Sequence, residues 1–397
     1  MTDMVEENGK IWISLLGLNG LVEIDIHTWK TKVLCRFEEK NDLSFNLYNS
    51  IAKIDKKIIV IPCTADRIAV YDLNSKKIHY IEIDNVQDNR NEVYDSNAKF
   101  WKYYIDGKNI YLMGHYYPAI VKINVNNYEV HYITDWVKEL DKHIKKGDKR
   151  GYIGAGFFKR KRNIYLPLQC YPAFLILDLD TNKTKIKKID SILDGIGIIG
   201  GDNENIWLEG KGDALGCFVK LDIDLGNIKE IGNVEKPSIE AYSIPFLEII
   251  DCENRIILFP STASFIYEIE KSSDVIKKSE LNQLLIENGT AKPNVLMTKK
   301  INNKIYFITS CDRKLHTYFI DENRIESRDL YLPEEYVMEE IQRIYTQRNT
   351  EQRTVDEREV PLNFYITRDV NNVDMYQNIK IGKNIYAYTR KGGTGVR

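Results

Sequence analysis

The sequence predicts an all-β fold, a β-propeller of seven four-stranded blades, and three observations support this prediction. A phrase recurs in which a polar turn of Asp, Asn or Gly precedes four or five residues rich in Ile, Tyr, Trp and Leu, as in "NGKIWIS" (8–14) and "DGKNIYLMG" (106–114). The phrase returns roughly every 50 residues, a period typical of propeller blades. The intervening stretches contain short strands joined by turns that suit antiparallel hairpins.

An Ile within the phrase marks the second strand of each predicted blade. This residue recurs as Ile11, Ile58, Ile110, Ile164, Ile206, Ile256, Ile305 and Ile385. The successive spacings run from 42 to 54 residues, apart from a last one of 80. Seven blades are favoured, with six or eight as alternatives, and strands near the C-terminus are expected to help close the ring.

The third strand of each blade ends on an acidic or amide residue. The residues at this place are Asp25, Asp72, Asn124, Asp178, Asp222, Glu268 and Asp321. A side-chain oxygen there accepts hydrogen bonds from the backbone of the following turn. These residues are therefore predicted to be structural rather than catalytic.

Helical insertions are predicted near 135–150, 279–290 and 333–361 within a single propeller domain, 1–397. In the first, Trp136, Leu140 and Ile144 form one apolar stripe of a basic helix, which either caps a blade or serves as a basic docking element. The second is expected to end at Gly289. The third begins at Pro333 with Val337, Ile341 and Ile344 facing inward, followed by a charged loop. The tail, 390–397, is either a flexible remnant or a recognition or modification tag.

Composition limits the possible partners and location. Lys plus Arg total 56 and Asp plus Glu total 58, so no overall attraction to nucleic acid or to an anionic membrane is expected. The basic hairpin "FFKRKRN" (157–163) is interpreted as a solvated turn, with nucleic-acid contact as the alternative. The N-terminus lacks a secretory pattern, and no apolar run reaches the roughly 18 residues that span a bilayer. The six scattered cysteines are predicted to be free thiols, and the expected location is cytoplasmic.

The opening "NGKIWIS … GLVEIDIHTWKTK" resembles the repeats of bacterial quinoprotein-like and streptogramin-lyase-like β-propellers. The resemblance covers nearly the whole chain and implies the propeller fold without a specific activity. The WD dipeptide of WD repeats is absent from the sequence. No motif matches the catalytic histidines of the lyase, so no residue role is carried over.

Function is expected on the propeller face formed by the loops between second and third strands, because these loops vary while the strands stay alike. The candidate binding residues on these loops are Asp66, Arg67, His115, Tyr116, Tyr117, Tyr171, Lys211, Asp213, Asp312 and Arg313. Tyrosine-rich loops suit recognition of a protein, a peptide or a sugar. The leading hypothesis is a non-catalytic binding scaffold without a cofactor.

The same loops raise two chemical alternatives. Cys63, His115, Cys170 and Cys311 hold equivalent places, but sheets packed about 10 Å apart cannot normally bring such residues to one zinc ion, so no metal site is predicted. Asp66, Asp213 and Asp312 are candidates for a carboxylate pair across the channel mouth, as in propeller glycosidases. The alternative function is therefore a lyase or a glycoside-acting hydrolase.

Overall fold

A computed structural model describes residues 3–15, 19–38, 47–84, 86, 98–190, 193–202, 204–222, 226–235, 245–290, 293–310, 312 and 314–339. In these ranges the chain forms seven antiparallel sheets of four strands, arranged as the blades of a ring. The predicted seven-bladed propeller is therefore confirmed. Every sheet is a meander of consecutive strands, and we number the blades 1 to 7 in chain order.

The strands follow the chain from blade to blade, four at a time. Blade 1 holds β1 (Met4–Glu7), β2 (Lys10–Leu15), β3 (Gly20–Asp25) and β4 (Thr31–Arg36). Blade 2 holds β5 (Tyr48–Ile54), β6 (Lys57–Pro62), β7 (Arg67–Asp72) and β8 (Ile78–Glu82). Blade 3 holds β9 (Phe100–Asp106), β10 (Asn109–Gly114), β11 (Ile120–Asn124) and β12 (Val130–Ile133).

The later blades repeat the arrangement. Blade 4 holds β13 (Phe158–Arg160), β14 (Asn163–Pro167), β15 (Ala173–Asp178) and β16 (Thr184–Lys188). Blade 5 holds β17 (Ile196–Gly201), β18 (Asn205–Gly210), β19 (Cys217–Asp222) and β20 (Ile228–Asn233). Blade 6 holds β21 (Phe246–Cys252), β22 (Arg255–Pro260), β23 (Tyr267–Glu270) and β24 (Ile276–Lys278). Blade 7 holds β25 (Val295–Ile301), β26 (Lys304–Thr309), β27 (Leu315–Phe319) and β28 (Arg324–Arg328).

Helices occur at the three predicted insertions. Helix α1 (Val137–Asp141) lies between blades 3 and 4, with Trp136 and Leu140 buried as the apolar stripe predicts. Helix α2 (Leu281–Glu287) follows blade 6, and Gly289 after it has a φ of 85°. Residues 334–339 are helical and Val337 is buried. The predicted positions of Ile341, Ile344, the charged loop, Ile385 and the tail lie outside the described residues.

The recurring phrase is the hairpin turn and second strand of each blade. Between β1 and β2 the two turn residues, Asn8 and Gly9, have φ values of 51° and 76°. Two left-handed residues give the type I′ turn, whose twist matches that of the flanking strands. The seven phrase Ile residues in the described blades are all buried, so the pattern located every second strand correctly.

The turn between third and fourth strands is a second repeated device. The Asp25 carboxylate accepts hydrogen bonds from the backbone N–H groups of His27 (3.0 Å) and Thr28 (2.8 Å). Asp72 and Asp178 bind their turns in the same way. Hydrogen bonds to the ionised form, chiefly from the turn backbone, lower the pKa of each of these three carboxyls. The predicted structural role is confirmed for these residues.

The same prediction was wrong in blades 6 and 7. In blades 1 to 4 the predicted residue pairs with the first residue of the second strand. In blade 6 the residue with that pairing is Glu270, opposite Arg255, and in blade 7 it is Phe319, opposite Lys304. Glu268 lies two residues earlier inside β23 and is buried, and Asp321 lies beyond the end of β27. In both blades the third strand ends 14 residues after the phrase Ile, as it does in blades 1 to 4, so the two predicted residues were each displaced by two positions.

The core lies between the blades rather than inside any one sheet. Six clusters of buried side chains each join two consecutive blades, from blades 1 and 2 to blades 6 and 7, among the described residues. Contacts between first strands, such as β17 with β21, place these strands near the axis. The fourth strands are the most exposed and form the rim. Burial of one large aliphatic side chain contributes about 1.5–3 kcal/mol, so each interface stabilises two blades at once.

Within the described residues the ring closes between blades 1 and 7, and the C-terminal strands expected to help close it lie outside those residues. Blade 1 is complete from its own four strands and so is blade 7, and β1 contacts β25. Lys299 of blade 7 pairs with Asp3 beside β1, with 3.0 Å between Nζ and Oδ1. Side-chain contacts therefore join the first blade to the last. The chain divides into two compact units, Met1–Leu330 and Tyr331–Arg397; the single domain over 1–397 stays a prediction.

Side chains of β9 cross the axis of the ring. Lys102 of blade 3 forms an ion pair with Glu248 of blade 6. The Tyr103 hydroxyl donates to the Ile51 carbonyl of blade 2 (2.7 Å), and Lys299 of blade 7 lies 5.6 Å from the centre of its ring. Trp101 packs against the core cluster of blades 5 and 6. Blades that are not neighbours are thus joined through the centre.

Candidate functional site

The candidate site lies on the face that holds the loops between second and third strands, which we call the upper face. The structure joins the loops of blades 3 and 4 there by backbone hydrogen bonds. Tyr152 N–H donates to the His115 carbonyl (2.6 Å), and Gln169 N–H donates to the Tyr152 carbonyl (3.0 Å). Two of the predicted loops, "HYYPA" and "QCYPA", are therefore held side by side on a rigid frame.

His115 is a buried neutral imidazole at the centre of this frame. Its Nδ1–H donates to the Ile153 carbonyl (2.7 Å), and its ring stacks on Trp101 at 3.7 Å with 12° between the planes. Burial, with a smaller contribution from the nearby Lys211 ammonium, lowers the pKa of His115 to about 3, although the hydrogen bond to the Ile153 carbonyl works in the opposite direction. With 3% of its surface exposed, His115 positions its neighbours instead of contacting solvent.

Lys211 and Glu209 form a buried pair beside His115. They stand two residues apart at the end of β18, on one face of the strand. Burial raises the pKa of the Glu209 carboxyl to about 8 and lowers the pKa of the Lys211 ammonium to about 8, while each charge favours the other. Glu209 Oε1 accepts from Gly216 N–H (3.1 Å), whereas its Oε2 has no hydrogen-bond donor among the described residues.

Arg150 links this pair to the insertion that carries α1. Its guanidinium donates to Asp148 (2.6 Å from Nη2 to Oδ2) and to Asp194 (3.0 Å from Nη1 to Oδ2). Burial works against the charged form, but the hydrogen bonds and charges of the two carboxylates raise the pKa of Arg150. Gly212 has a φ of 69°, and a Cβ there would lie 2.8 Å from both Arg150 and Asp194. A glycine is therefore required where the loop of blade 5 passes the Arg150–Asp194 pair.

The predicted tyrosines have different environments. Tyr171 is half-buried, and its ring stacks on that of His143 at 4.3 Å with 7° between the planes. Tyr116 is also half-buried and lies edge-on to His115 at 4.5 Å. Tyr117 belongs to the core of blades 2 and 3, where its hydroxyl donates to the Asp84 carbonyl (2.5 Å). Tyr116 and Tyr171 therefore present surface on the upper face, whereas Tyr117 does not.

The remaining predicted residues lie on other blades. Asp66 pairs with Lys99 (2.8 Å), and the Arg67 guanidinium lies 4.0 Å from the centre of the Tyr80 ring. Asp213 belongs to a short 3₁₀ turn, Gly212–Ala214. Arg313 lies outside the described residues.

Asp312 is held tightly within blade 7. It accepts hydrogen bonds from the hydroxyls of Thr290 (2.6 Å) and Thr309, and its Oδ2 lies 3.2 Å from Nε2 of His316. Burial alone would raise the pKa of this carboxyl, but the hydrogen bonds from His316, Thr290 and Thr309 hold it well below its usual range. Asp66 and Asp312 therefore each bind side chains of their own blade or of a segment next to it.

Sequence reasoning missed the residues that organise the site. Trp101, Arg150 and Glu209 are drawn together from blade 3, the insertion and blade 5. Glu209 carried one signal: it is an acidic residue in a second strand that is otherwise apolar, "NIWLEG". Nothing in the local sequence of Trp101 or Arg150 distinguished these residues.

Two kinds of feature are absent from the described residues. No group of three or more His, Cys, Asp and Glu side chains is placed to hold a metal ion there. Nor does this part of the chain contain a helix long and apolar enough to span a membrane.

Comparison with known proteins finds similarity at the level of the fold. A chain of the mitotic checkpoint complex is 10% identical, with 80% of this chain and 86% of that chain covered and a TM-score of 0.53. BamB from Moraxella catarrhalis is 12% identical, with 78% and 81% covered and a TM-score of 0.50. The extracellular domain of a one-component system protein from B. thetaiotaomicron is 12% identical, with 77% of this chain but 37% of that chain covered and a TM-score of 0.51.

These identities show a shared β-propeller and no shared function. No protein-family model and no curated protein matches the sequence. The finer resemblance to quinoprotein-like and streptogramin-lyase-like repeats stays a prediction.

Proposed function

We propose that the protein is a non-catalytic scaffold that binds an acidic segment of a protein or peptide on its upper face. The binding surface, which we call the insertion surface, consists of Tyr116, Lys138, His143, Lys145, Lys146 and Tyr171. The Tyr171–His143 stack carries the proposal, because it holds two rings in a fixed orientation at the protein surface. Rigid aromatic side chains lose little conformational entropy on binding and often dominate interface energies.

The charge around the stack supports an acidic partner. Residues 138–149 contain five lysines and three acidic residues. One of those acids, Asp148, is already engaged by buried Arg150. Lys138, Lys145 and Lys146 are exposed in the same insertion as His143, and Lys145 Nζ also lies 3.2 Å from Asp194 Oδ1. Such an arrangement attracts carboxylates and increases the rate of association at low salt.

Assembly with other proteins and a cytoplasmic location are parts of the same proposal. One protein with a similar fold is a chain of a mitotic checkpoint complex, which is consistent with protein binding by such a ring. The five cysteines among the described residues are all free thiols, as is usual in a reducing compartment.

The test compares binding to three immobilised forms of the full chain. A Tyr116→Ala, Tyr171→Ala variant removes both exposed rings, and an Asn126→Ala, Lys183→Ala variant changes two exposed turn residues on the opposite face. We expect a host protein that binds the wild type and the control alike, binds the double variant at least about tenfold more weakly (roughly 1.4 kcal/mol), and is released by salt.

Equal retention on all three forms would contradict the proposed surface. If no protein binds specifically, the same variants titrated with neutral and acidic oligosaccharides test the sugar alternative. Binding of a sugar lost in the double variant would replace the protein partner by a glycan, and the scaffold proposal would then fail in its present form.

One observation favours the enzyme alternative. Glu209 and Lys211 both have pKa values displaced to about 8, and strongly displaced values concentrate in catalytic sites. Both side chains are almost fully buried, however, so a substrate has no route to them in this conformation. Turnover of a glycoside by the wild type, abolished by Glu209→Gln, would favour the hydrolase over the scaffold.

A further inference from the structure

The turns between third and fourth strands contain a device that joins neighbouring blades. The fourth residue after the end of the third strand has a left-handed backbone in the described blades, and in several of them its side chain reaches the preceding blade. Tyr128 of blade 3 stacks on His79 of blade 2 (4.1 Å), and Asn182 of blade 4 accepts from the Tyr111 hydroxyl of blade 3 (3.0 Å). These side chains act as bridges between blades.

Blade 6 shows the bridge in ionic form. The carboxylate of Asp274 accepts hydrogen bonds from Lys220 and Lys229 of blade 5, each 2.8 Å long. The Lys220 ammonium also lies 5.5 Å from the centre of the Trp207 ring. Asp274 thus occupies a place lined by two lysines and a tryptophan.

Blades 1 and 2 offer the same place with the bridge reversed in charge. Across three strands of blade 1, Trp12 pairs with Glu23 and Glu23 pairs with Lys32. These residues correspond to Trp207, Lys220 and Lys229 of blade 5, which pair in the same order. The left-handed residue that blade 2 contributes is Lys76, with a φ of 57°. A lysine therefore stands where blade 6 supplies a carboxylate, and no ion pair or hydrogen bond of the Lys76 ammonium occurs within the described ranges.

A cleft of about 460 Å³ remains between the two blades at this point. Four lysines line it: Lys10, Lys32, Lys56 and Lys76. Its two carboxylates are already engaged, since Glu23 accepts from Lys10 (2.7 Å) and Trp12 Nε1–H (3.1 Å), and Glu7 pairs with Lys53 (2.8 Å). The cleft therefore carries uncompensated positive charge over a partly apolar wall that includes Leu34 and Leu73.

We propose that this cleft binds a small organic anion, whose carboxylate or phosphate group lies between the ammonium groups of Lys32 and Lys76. Lys32 stands at the position of Lys229 in blade 5, while Glu23, at the position of Lys220, is already engaged by Lys10 and Trp12. A ring or short carbon chain of the ligand packs on Leu34 and Leu73. A volume of this size suits a small molecule. The cleft lies on the side of the ring opposite the insertion surface, so this inference is independent of the proposed function.

The test is calorimetric titration of the full chain with three probes: benzoate, glucuronate and glucose 6-phosphate, with glucose as the neutral control. We expect at least one anion to bind with a Kd of about 1 mM or tighter, and glucose to give no heat. The carboxylates and the phosphate ester distinguish the two kinds of anionic group. Heat from none of the anions up to about 10 mM, ten times that Kd, would overturn the proposal.

Two variants and one matched control locate the binding. Lys32→Gln is expected to weaken binding at least tenfold, whereas Lys185→Gln, the equivalent exposed position in blade 4, leaves it unchanged. Lys76→Asp replaces one of the two ammonium groups by a carboxylate that reaches toward Lys32, so it should abolish binding of the anion. Loss of affinity in the Lys185 control, or full affinity in Lys76→Asp, would place the anion elsewhere and refute the assignment.

Discussion

His115 illustrates how the fold changes the chemistry of a residue that the sequence places on a loop. A histidine next to two tyrosines in a loop predicts an accessible imidazole with a pKa near the usual value of about 6.5. In the structure, Trp101 covers one side of the ring and the Ile153 carbonyl accepts a hydrogen bond from Nδ1–H. Burial lowers the pKa of the imidazole and keeps it neutral. Its partners come from the innermost strand and from the insertion, and the local sequence carries no signal of either.

The free energy of unfolding should depend on pH through this residue. The unfolded chain takes up a proton on His115 below about pH 6.5, whereas the folded protein does so near pH 3. Stability is therefore lost as the pH falls through this window, by about 2 kcal/mol between roughly pH 6.5 and pH 5. Urea unfolding of the wild type and of His115→Gln at both pH values measures it; equal losses in the two proteins would contradict the assignment.

The turn between third and fourth strands is the element that joins one blade to the next. A left-handed backbone costs about 1–2 kcal/mol at most residues, while Asn and Asp adopt it more readily. Asp274 offsets this cost through Lys220 and Lys229, whereas Lys76 gains no such contact among the described residues. The same backbone position therefore stabilises one interface and strains another.

Substitution by Asn at these two turns should change the free energy of unfolding in opposite directions. Asp274→Asn removes the charge that two lysines share and is expected to lower the free energy of unfolding by about 1–2 kcal/mol. Lys76→Asn places a residue that tolerates the left-handed backbone and is expected to raise it by up to about 1 kcal/mol. Chemical denaturation of both variants decides the matter, and destabilisation by Lys76→Asn would show that its side chain has a structural partner.

At this scale the sequence predicted the elements well and their contacts poorly. Ile11 and its counterparts located the second strands because strand and turn residues obey local rules of backbone conformation. Glu268 was misplaced because acidic residues occupy two alternate positions of this strand, Glu268 and Glu270, and only pairing with the second strand shows that Glu270 is the one at the turn. The burial of Tyr117 and of Glu209 was beyond local reasoning, because it depends on packing between blades.

Across the whole molecule, the axis is a packed junction that joins opposite blades. Lys102 of blade 3 and Glu248 of blade 6 pair there with 19% and 25% of their side-chain surfaces exposed. The pair ties together strands that share no sheet. Loss of this ion pair should therefore lower the stability of the whole ring rather than of one blade.

Removal of either partner leaves the other charge in a poorly solvated place. Lys102→Met and Glu248→Leu are each expected to lower the free energy of unfolding by about 2 kcal/mol, and the double variant by less than the sum. A double-mutant cycle measured by urea denaturation provides the coupling. Strict additivity of the two changes would mean that the pair contributes nothing through its mutual interaction.

Closure of the ring by the contact of β1 with β25 has a consequence for folding during synthesis. Blades 2 to 7 can each dock on the preceding blade as soon as they leave the ribosome. The surface of blade 1 that β25 covers stays exposed until blade 7 has been synthesised. About 290 residues separate Met4 from Val295, and translation at 5–20 residues per second takes roughly 15–60 s over that length. During this interval the waiting surface of blade 1 is the natural target for a chaperone that holds nascent chains.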